Sequence, residues 1–596
     1  MAGFSTCCRA GLAAFLAASL VGCGSRPNIL LVTLDTTRAD YLGCYGRAVA
    51  HTPTLDSLAH SGARFTRAYT PAPLTLPAHA SLMTGLFPWE HQVRDNGLYR
   101  LDDSTAVLAE LLSRSGYWCA AVIGAHPLVA QYGLARGFAV YDDALRSSVS
   151  PFEYPERPAF EVTSRALAAF GSRPGRAPLF AWVHYFDPHA PYASPRGSMT
   201  GYDVEIARVD HELGRLLRGL PKGPWMVVVA GDHGEGLGEH GEETHGDFLY
   251  NTTLRVPLIV SGHGWDRSVE REDATSLVDV FPTILAAAGV AIPPNSGQDL
   301  SHRQAPHPIR AETIHPLVRY GWPPLRSVEH DGMKLIQGER MELFEVAADQ
   351  GEREELSRSK PGDVAALLPL LPPLPQVGGV SPMGSHDRDA LAALGYFPEP
   401  GPSITPRDEL LVMLERGNRL VQGKQWGEAQ LHFAAVVARD PGNLWARMGV
   451  GTCRAGMGEL AGADSVFRSI LENHPAYLPA LQNLAMLRLM MDDYQEAERL
   501  HAAVLELMPA DVTSLEASAV CQRWLKKYPE SLSTYRRLAA VRPGDSRVLR
   551  DMGSLLAYHL NDRAEAGRLW RQALAIDPNL PQRREMEREM QRWAEQ

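Results

Sequence analysis

Short, unbroken apolar runs, each closed by polar or glycine-containing sequence, recur through the first half of the chain. Asn28–Leu34, Pro178–His184 and Trp225–Ala230 are continuous and apolar, the pattern of strands buried on both faces. Between them, Pro53–Ala59 carries apolar residues near a helical period. Leu108–Ser113 reads as a further helix, and Ala63–Tyr69 and Gly116–Gly124 read as further strands. Strands alternating with helices predict an α/β domain. From Glu312 to Leu356 the runs shorten and alternate around turns, predicting a small antiparallel sheet. Residues 361–406 are rich in proline, including Pro398-Glu399-Pro400-Gly401-Pro402, and read as a linker.

Beyond the linker the punctuation is periodic. Pro441, Pro475, Pro509, Pro543 and Pro578 follow one another at 34, 34, 34 and 35 residues. Small residues stand 24 positions before each proline (Gly417, Gly451, Ala485, Ala519, Ser554). They also stand 12 positions before it (Ala429, Ala463, Ala497, Ser531, Ala566). Small residues at both points let two antiparallel helices approach closely, with the proline ending the second. Residues 407–580 thus resemble tetratricopeptide (TPR) repeats, which implies an all-α superhelix with a groove for a protein or peptide partner. A rigid spacer is the alternative. Residues 581–596 are charged and suit a solvated capping helix.

Length adds that a 596-residue chain exceeds one hydrophobic core and needs at least two domains. A net charge of −11 with no basic stripe argues against nucleic acid as a partner. The N-terminus is an address: Arg9 precedes the apolar run 11–20, too short to span a bilayer. Leu20-Val21-Gly22-Cys23 resembles a bacterial lipobox, which implies removal of residues 1–22 and lipidation of Cys23. An ordinary signal peptide cut nearby is the alternative. Either way the expected location is the cell envelope, and lipidation would anchor the protein to a membrane on the periplasmic or outer-membrane side. Cys44, Cys119, Cys453 and Cys521 lack metal-type spacing and read as buried thiols or one incidental bridge.

The candidate chemistry sits where apolar runs end. Asp35 closes the first strand and Asp232-His233 follows another. Thr75 lies on a proline-punctuated loop, Thr75-Leu76-Pro77-Ala78-His79. A hydroxyl beside oxygen and nitrogen ligands at strand ends suggests a metal-activated nucleophile. Asp187 and His189, after a further strand, are candidates for a second metal or for the substrate; a loop aspartate with a surface histidine is the plainer reading. A helix cap is the alternative reading of Asp35, and His240, Glu239 and Glu242 read as solvated loop residues.

Asp35, the block Pro53–Tyr69, the block Leu76–Gly85 and Asp232-His233-Gly234 together resemble the sulfatase branch of the alkaline phosphatase superfamily over residues 27–360. The resemblance implies a mixed sheet sandwiched by helices with a small antiparallel C-terminal subdomain. It also implies metal-dependent ester hydrolysis. Thr75 stands where sulfatases carry the cysteine or serine that becomes formylglycine, and His79 stands in place of their arginine. Gly124-Ala125-His126 lacks their lysine. The loop looks more like that of nucleotide pyrophosphatases/phosphodiesterases, in which threonine attacks phosphorus. By that likeness Asn96 would bind a nonbridging oxygen, and His245 would face a second metal or the substrate. The expected ligands of the first ion are Asp35, Thr75, Asp232 and His233, with Asp187, His189 and His245 for a second. These donors suit zinc or manganese, and calcium less well. The expected function is therefore cleavage of phosphate esters through a Thr75 intermediate. Sulfate ester hydrolysis comes second and phosphoryl transfer to envelope glycans or lipids third. An inactive lipoprotein scaffold is the alternative of a different class.

Overall fold

The computed structural model describes residues 26–145, 156–302, 307–374 and 407–594, apart from single residues at 98, 191, 321, 339, 476, 510 and 543. The signal segment, Cys23, Pro543 and residues 375–406 of the expected linker lie outside the described residues. No described helix is long and apolar enough to cross a membrane.

The first domain is organised by one sheet. Its strands are β1 (Asn28–Leu34), β2 (Ala63–Tyr69), β3 (Trp118–Val122), β4 (Val140–Asp142), β5 (Leu179–Tyr185), β6 (Trp225–Gly231), β7 (Arg255–Gly262), β8 (Val269–Arg271) and β9 (Thr275–Ser276). The spatial order is β4-β3-β5-β1-β6-β7-β2-β8, with β9 also on β2. The five strands from β4 to β6 run parallel, and β7 is antiparallel to both β6 and β2. All seven residues of β1 are buried because both faces are covered. Ile29 and Leu31 pack with Leu76, Ala80 and Met83 of the Thr75–Thr84 helix. Leu30 and Val32 pack on the other face with Val162 and Val209 from the helices Ala159–Gly171 and Gly201–Arg218. This alternation matters for the site, since Thr33 belongs to the same face as Ile29 and Leu31.

The small sheet has the antiparallel order β10 (Ile309–Thr313), β11 (Leu325–His330), β12 (Met333–Gln337) and β13 (Met341–Glu345). Residues 361–374 do not behave as linker. A helix, Pro361–Leu367, begins there, and Leu367 and Leu371 pack on Val328, Leu335 and Leu343 of this sheet. Proline at the first helical position leaves a helix intact, so proline content alone placed the boundary too early.

The second domain is all helical among the described residues. Five helix pairs run from Arg407–Gln422 with Trp426–Arg439 to Ser546–Tyr558 with Arg563–Ile576, followed by Arg583–Ala594. Close approach is visible at the small residues: a Cβ on Gly417 would lie 2.8 Å from the Phe433 ring, and one on Gly451 2.4 Å from Phe467. In the last pair the contact falls to Gly553, against Trp570 at 2.5 Å, and Ser554 is only half-buried. The one-residue slip arises because the extra residue of the last repeat lies between its two helices.

The two domains touch. Phe248 and Trp322 of the sheet domain pack on the cluster of Leu410, Leu414 and Phe433, and Arg419 pairs with Glu243. Farther along the array, the charges of Asp511 and Arg542 reach His126.

Candidate active site

The sheet's register brings the site together. Leu34 of β1 pairs with Gly231 of β6 and with Tyr185 of β5, so the residues after three strands emerge side by side. Asp35, Asp232 and His233 each offer a ligand atom, all within 4.8 Å of one another, and all three residues are fully buried. The turn after β1 is strained: Thr36, β-branched, has φ of 47°. Its N–H donates to Asp232 Oδ1 at 3.2 Å and its carbonyl accepts from the Tyr202 hydroxyl, which holds that conformation. Gly234 is needed for the turn after β6, because a Cβ there would sit 2.0 Å from the Thr252 carbonyl oxygen.

Both oxygens of Asp35 and Oδ2 of Asp232 are buried with no hydrogen-bond donor. Burial pushes the Asp35 carboxyl up to about 6, against the opposing pull of His233 and His189. Unpartnered carboxylate oxygens in a dry site are costly unless a cation meets them. His233 donates from Nδ1 to the Gly234 carbonyl at 3.0 Å, which leaves Nε2 as the lone-pair nitrogen. These residues therefore fit a divalent ion.

Thr75 opens the Thr75–Thr84 helix, with its hydroxyl 3.4 Å from His233 Nε2. The helix dipole favours negative charge at such an end. Asn96 Oδ1 accepts from the Leu76 N–H at 2.8 Å, which holds its side chain beside the same helix end and leaves the NH₂ to donate elsewhere. Asp95 contacts His315, just beyond β10, at 3.1 Å, so the small sheet braces this loop. On the other flank His245 donates from Nδ1 to Glu235 Oε1 at 3.0 Å, and Tyr192 donates to Glu235 Oε2 at 2.7 Å. His189 donates from Nδ1 to the Ala190 carbonyl at 2.7 Å. The His245 ring lies 4.4 Å from that of His233 and 5.3 Å from that of His189.

Asp187 is the correction. Its Oδ1 accepts from the Ala159 N–H at 3.0 Å at the start of the Ala159–Gly171 helix, and the side chain lines a separate cleft with His51, Phe160 and His211. Of the charges, Glu205 and Glu156 act on it most strongly, and neither belongs to the cluster. The proline-bounded loop turns Asp187 to the helix end while His189, two residues on, reaches the site. Without it the second set has no carboxylate of its own except Glu235, which is already taken by His245 and Tyr192. Glu242 also differs from expectation: it is fully buried and accepts the Asp247 and Phe248 N–H groups.

Some residues were not legible beforehand. Thr33 and His184 are register partners on adjacent strands, and their side chains meet at 2.9 Å. His79 Nε2 lies 2.9 Å from the same hydroxyl, and the Trp182 indole N–H donates to it at 3.0 Å. His184 Nε2 points at Asp35 Oδ2, 3.2 Å away. Burial drives the ring pKa of His79 down to about 3 and that of His184 to about 4. The available signal was a polar residue near the end of each of two otherwise apolar strands.

Residues 27–290 match the sulfatase family model. The chain is 24% identical over 416 residues to the Δ4,5-hexuronate-2-O-sulfatase of Bacteroides thetaiotaomicron, covering 56% of this chain and 85% of that protein. It is 23% identical over 353 residues to the choline-sulfatase of Rhizobium meliloti, covering 45% and 68%. A protein solved in complex with its substrate D-glucosamine-2-N,6-O-disulfate shares the fold, with a TM-score of 0.50 and 18% identity over 58% of this chain and 96% of that one. Residues 27–290 are thus similar to the sulfatases, and the protein is an ester hydrolase.

Proposed function

We propose that this ester hydrolase cleaves phosphate esters with Thr75 as nucleophile, at a divalent ion held by Asp35, Asp232 and His233. The carrying observation is the Thr75 hydroxyl at a helix N-terminus, 3.4 Å from His233 Nε2 and beside carboxylate oxygens that lack donors. When bound, the ion would supply charge neutralisation for the nucleophile and the reacting group. Thr75 Oγ forms a bond to phosphorus as the ester oxygen leaves. The threonine proton passes to a site imidazole and from there to the leaving alcohol. His245 is the best candidate, since Glu235 accepts from its Nδ1 and leaves Nε2 as the lone-pair nitrogen. Water then cleaves the threonine ester and restores the hydroxyl. Asn96 would donate its amide N–H groups to a nonbridging oxygen.

Sulfate esters are the second reading, favoured by the family match and by relatives named as sulfatases. Threonine at the formylglycine position and the missing lysine count against it. The experiment is a panel of aryl phosphate, phosphodiester and aryl sulfate substrates with zinc, manganese or calcium, followed by peptide mass spectrometry for modified Thr75. Turnover of the phosphate compounds with phosphothreonine at 75 is expected. Turnover confined to the sulfate overturns the phosphorus assignment, and the absence of both turnover and bound metal favours a scaffold.

Two further parts belong to this reading. The array would act as TPR repeats that hold a protein or peptide partner, supported by the 34-residue period of its prolines and small residues. Lipidation at Cys23 would keep the enzyme on a membrane of the cell envelope.

A further inference from the structure

The hydrogen bonds around Thr33 determine which nitrogen of His184 carries hydrogen. His79 Nδ1 lies 2.7 Å from the Thr75 carbonyl oxygen, which can only accept, so Nδ1 bears the hydrogen. In the neutral ring Nε2 then has a lone pair and takes the hydrogen of the Thr33 hydroxyl, 2.9 Å away. That hydroxyl has one hydrogen to give. Its remaining contacts, the Trp182 indole at 3.0 Å and His184 Nδ1 at 2.9 Å, must therefore donate to it. With Nδ1 protonated, neutral His184 presents a bare Nε2 to Asp35 Oδ2 at 3.2 Å. Two lone pairs face each other in the interior, and neither atom has a hydrogen-bond partner.

We infer that His184 Nε2 is a metal ligand, sharing with Asp35 the ion that the proposed function invokes. The inference rests on that reading. The spacing fits: two donors about 2.1 Å from one zinc ion, at an angle near 100°, stand about 3.2 Å apart. Anchoring Nδ1 so that Nε2 binds is also how metal-ligating histidines are commonly oriented, and here a relayed threonine hydroxyl does what a carbonyl does for His233. His184 stands outside the trio whose ligand atoms all lie within 4.8 Å of one another, so it meets the ion from the Asp35 Oδ2 side; two imidazoles with two carboxylates favour zinc-like ions over calcium. Thr33 and His79 then act as positioning residues.

The test uses the full chain stripped of metal. Zinc affinity is measured by chelator competition, and the visible spectrum is recorded after loading with cobalt(II). His184→Gln is expected to weaken zinc binding at least about 100-fold and to change the cobalt band. Thr33→Val, which keeps the volume but removes the relay, is expected to weaken binding roughly 10-fold. Should His184→Gln fail to fold, the Thr33→Val affinity decides. A wild type that binds metal while both variants keep its affinity and spectrum overturns the role of His184 alone, and leaves an imidazolium–carboxylate pair in its place. A wild type that binds no divalent ion overturns the metal reading itself.

Discussion

The sheet domain and the helical array use the same kinds of buried residue to opposite ends. In the array each helix packs mainly on its sequence neighbours, as Gly417 on Phe433 and Gly451 on Phe467 do, so its rules repeat with the period of the chain. In the sheet domain, Asp35, Thr75, His184, Asp232 and His245 come from widely separated segments and meet because parallel strands end together. A change in the array is therefore felt as local packing. A change at the strand ends is felt as chemistry, with most of the scaffold indifferent to it.

The sharpest break in this comparison is at the nucleophile. Thr75→Ala is expected to lower turnover by about 1,000-fold or more while metal content and thermal unfolding stay near wild type. Steady-state kinetics beside metal analysis measures both, and undiminished turnover removes Thr75 from the reaction. Next in size is the array. Gly451→Val puts a side chain where a Cβ already lies 2.4 Å from Phe467, and about 3 kcal/mol of stability should be lost. Gly427→Ala, where a Cβ meets nothing within 4 Å, should gain about 0.5–1 kcal/mol. Denaturant unfolding of the two variants reads the contrast, and metal binding should be unchanged in both.

An effect smaller than the Gly451 clash is set by pH. His501, buried between array helices and 3.2 Å from the Ser514 hydroxyl, has its pKa pushed down by burial to about 4. The ordinary value near 6.5 applies in the unfolded chain, so below it the unfolded state binds more protons than the folded one. Stability from this group is full above about pH 6.5 and is lost as pH falls towards 4. Between about pH 7 and pH 5 the loss should be about 2 kcal/mol, and His501→Asn should flatten it. Equal acid sensitivity in the variant would show that other groups control the transition.

Much of this was legible in the chain. Continuous apolar runs marked β1, β5 and β6 because a strand covered on both faces has no polar side to show, and Asp35 and Asp232-His233 stood out at their ends. The period of the prolines marked the helix pairs for the same local reason. Where the period slipped by one residue, the sequence position Ser554 missed and Gly553 carried the contact.

Asp187 and His184 show where such reading stops. Both lie near the end of β5. Sequence position favoured the aspartate as a ligand and left the histidine as an unremarked strand residue. The tertiary structure reverses them: Asp187 turns to the Ala159 amide, while the β1–β5 register sets His184 beside Thr33 and aims it at Asp35. By itself the sequence determined which segments are buried, where they end and which chemistry stands at those ends, since these follow from local pattern. Only the folded chain decided which of those groups meet, because strand register and the competition of backbone amides for carboxylates act between residues that are distant in sequence.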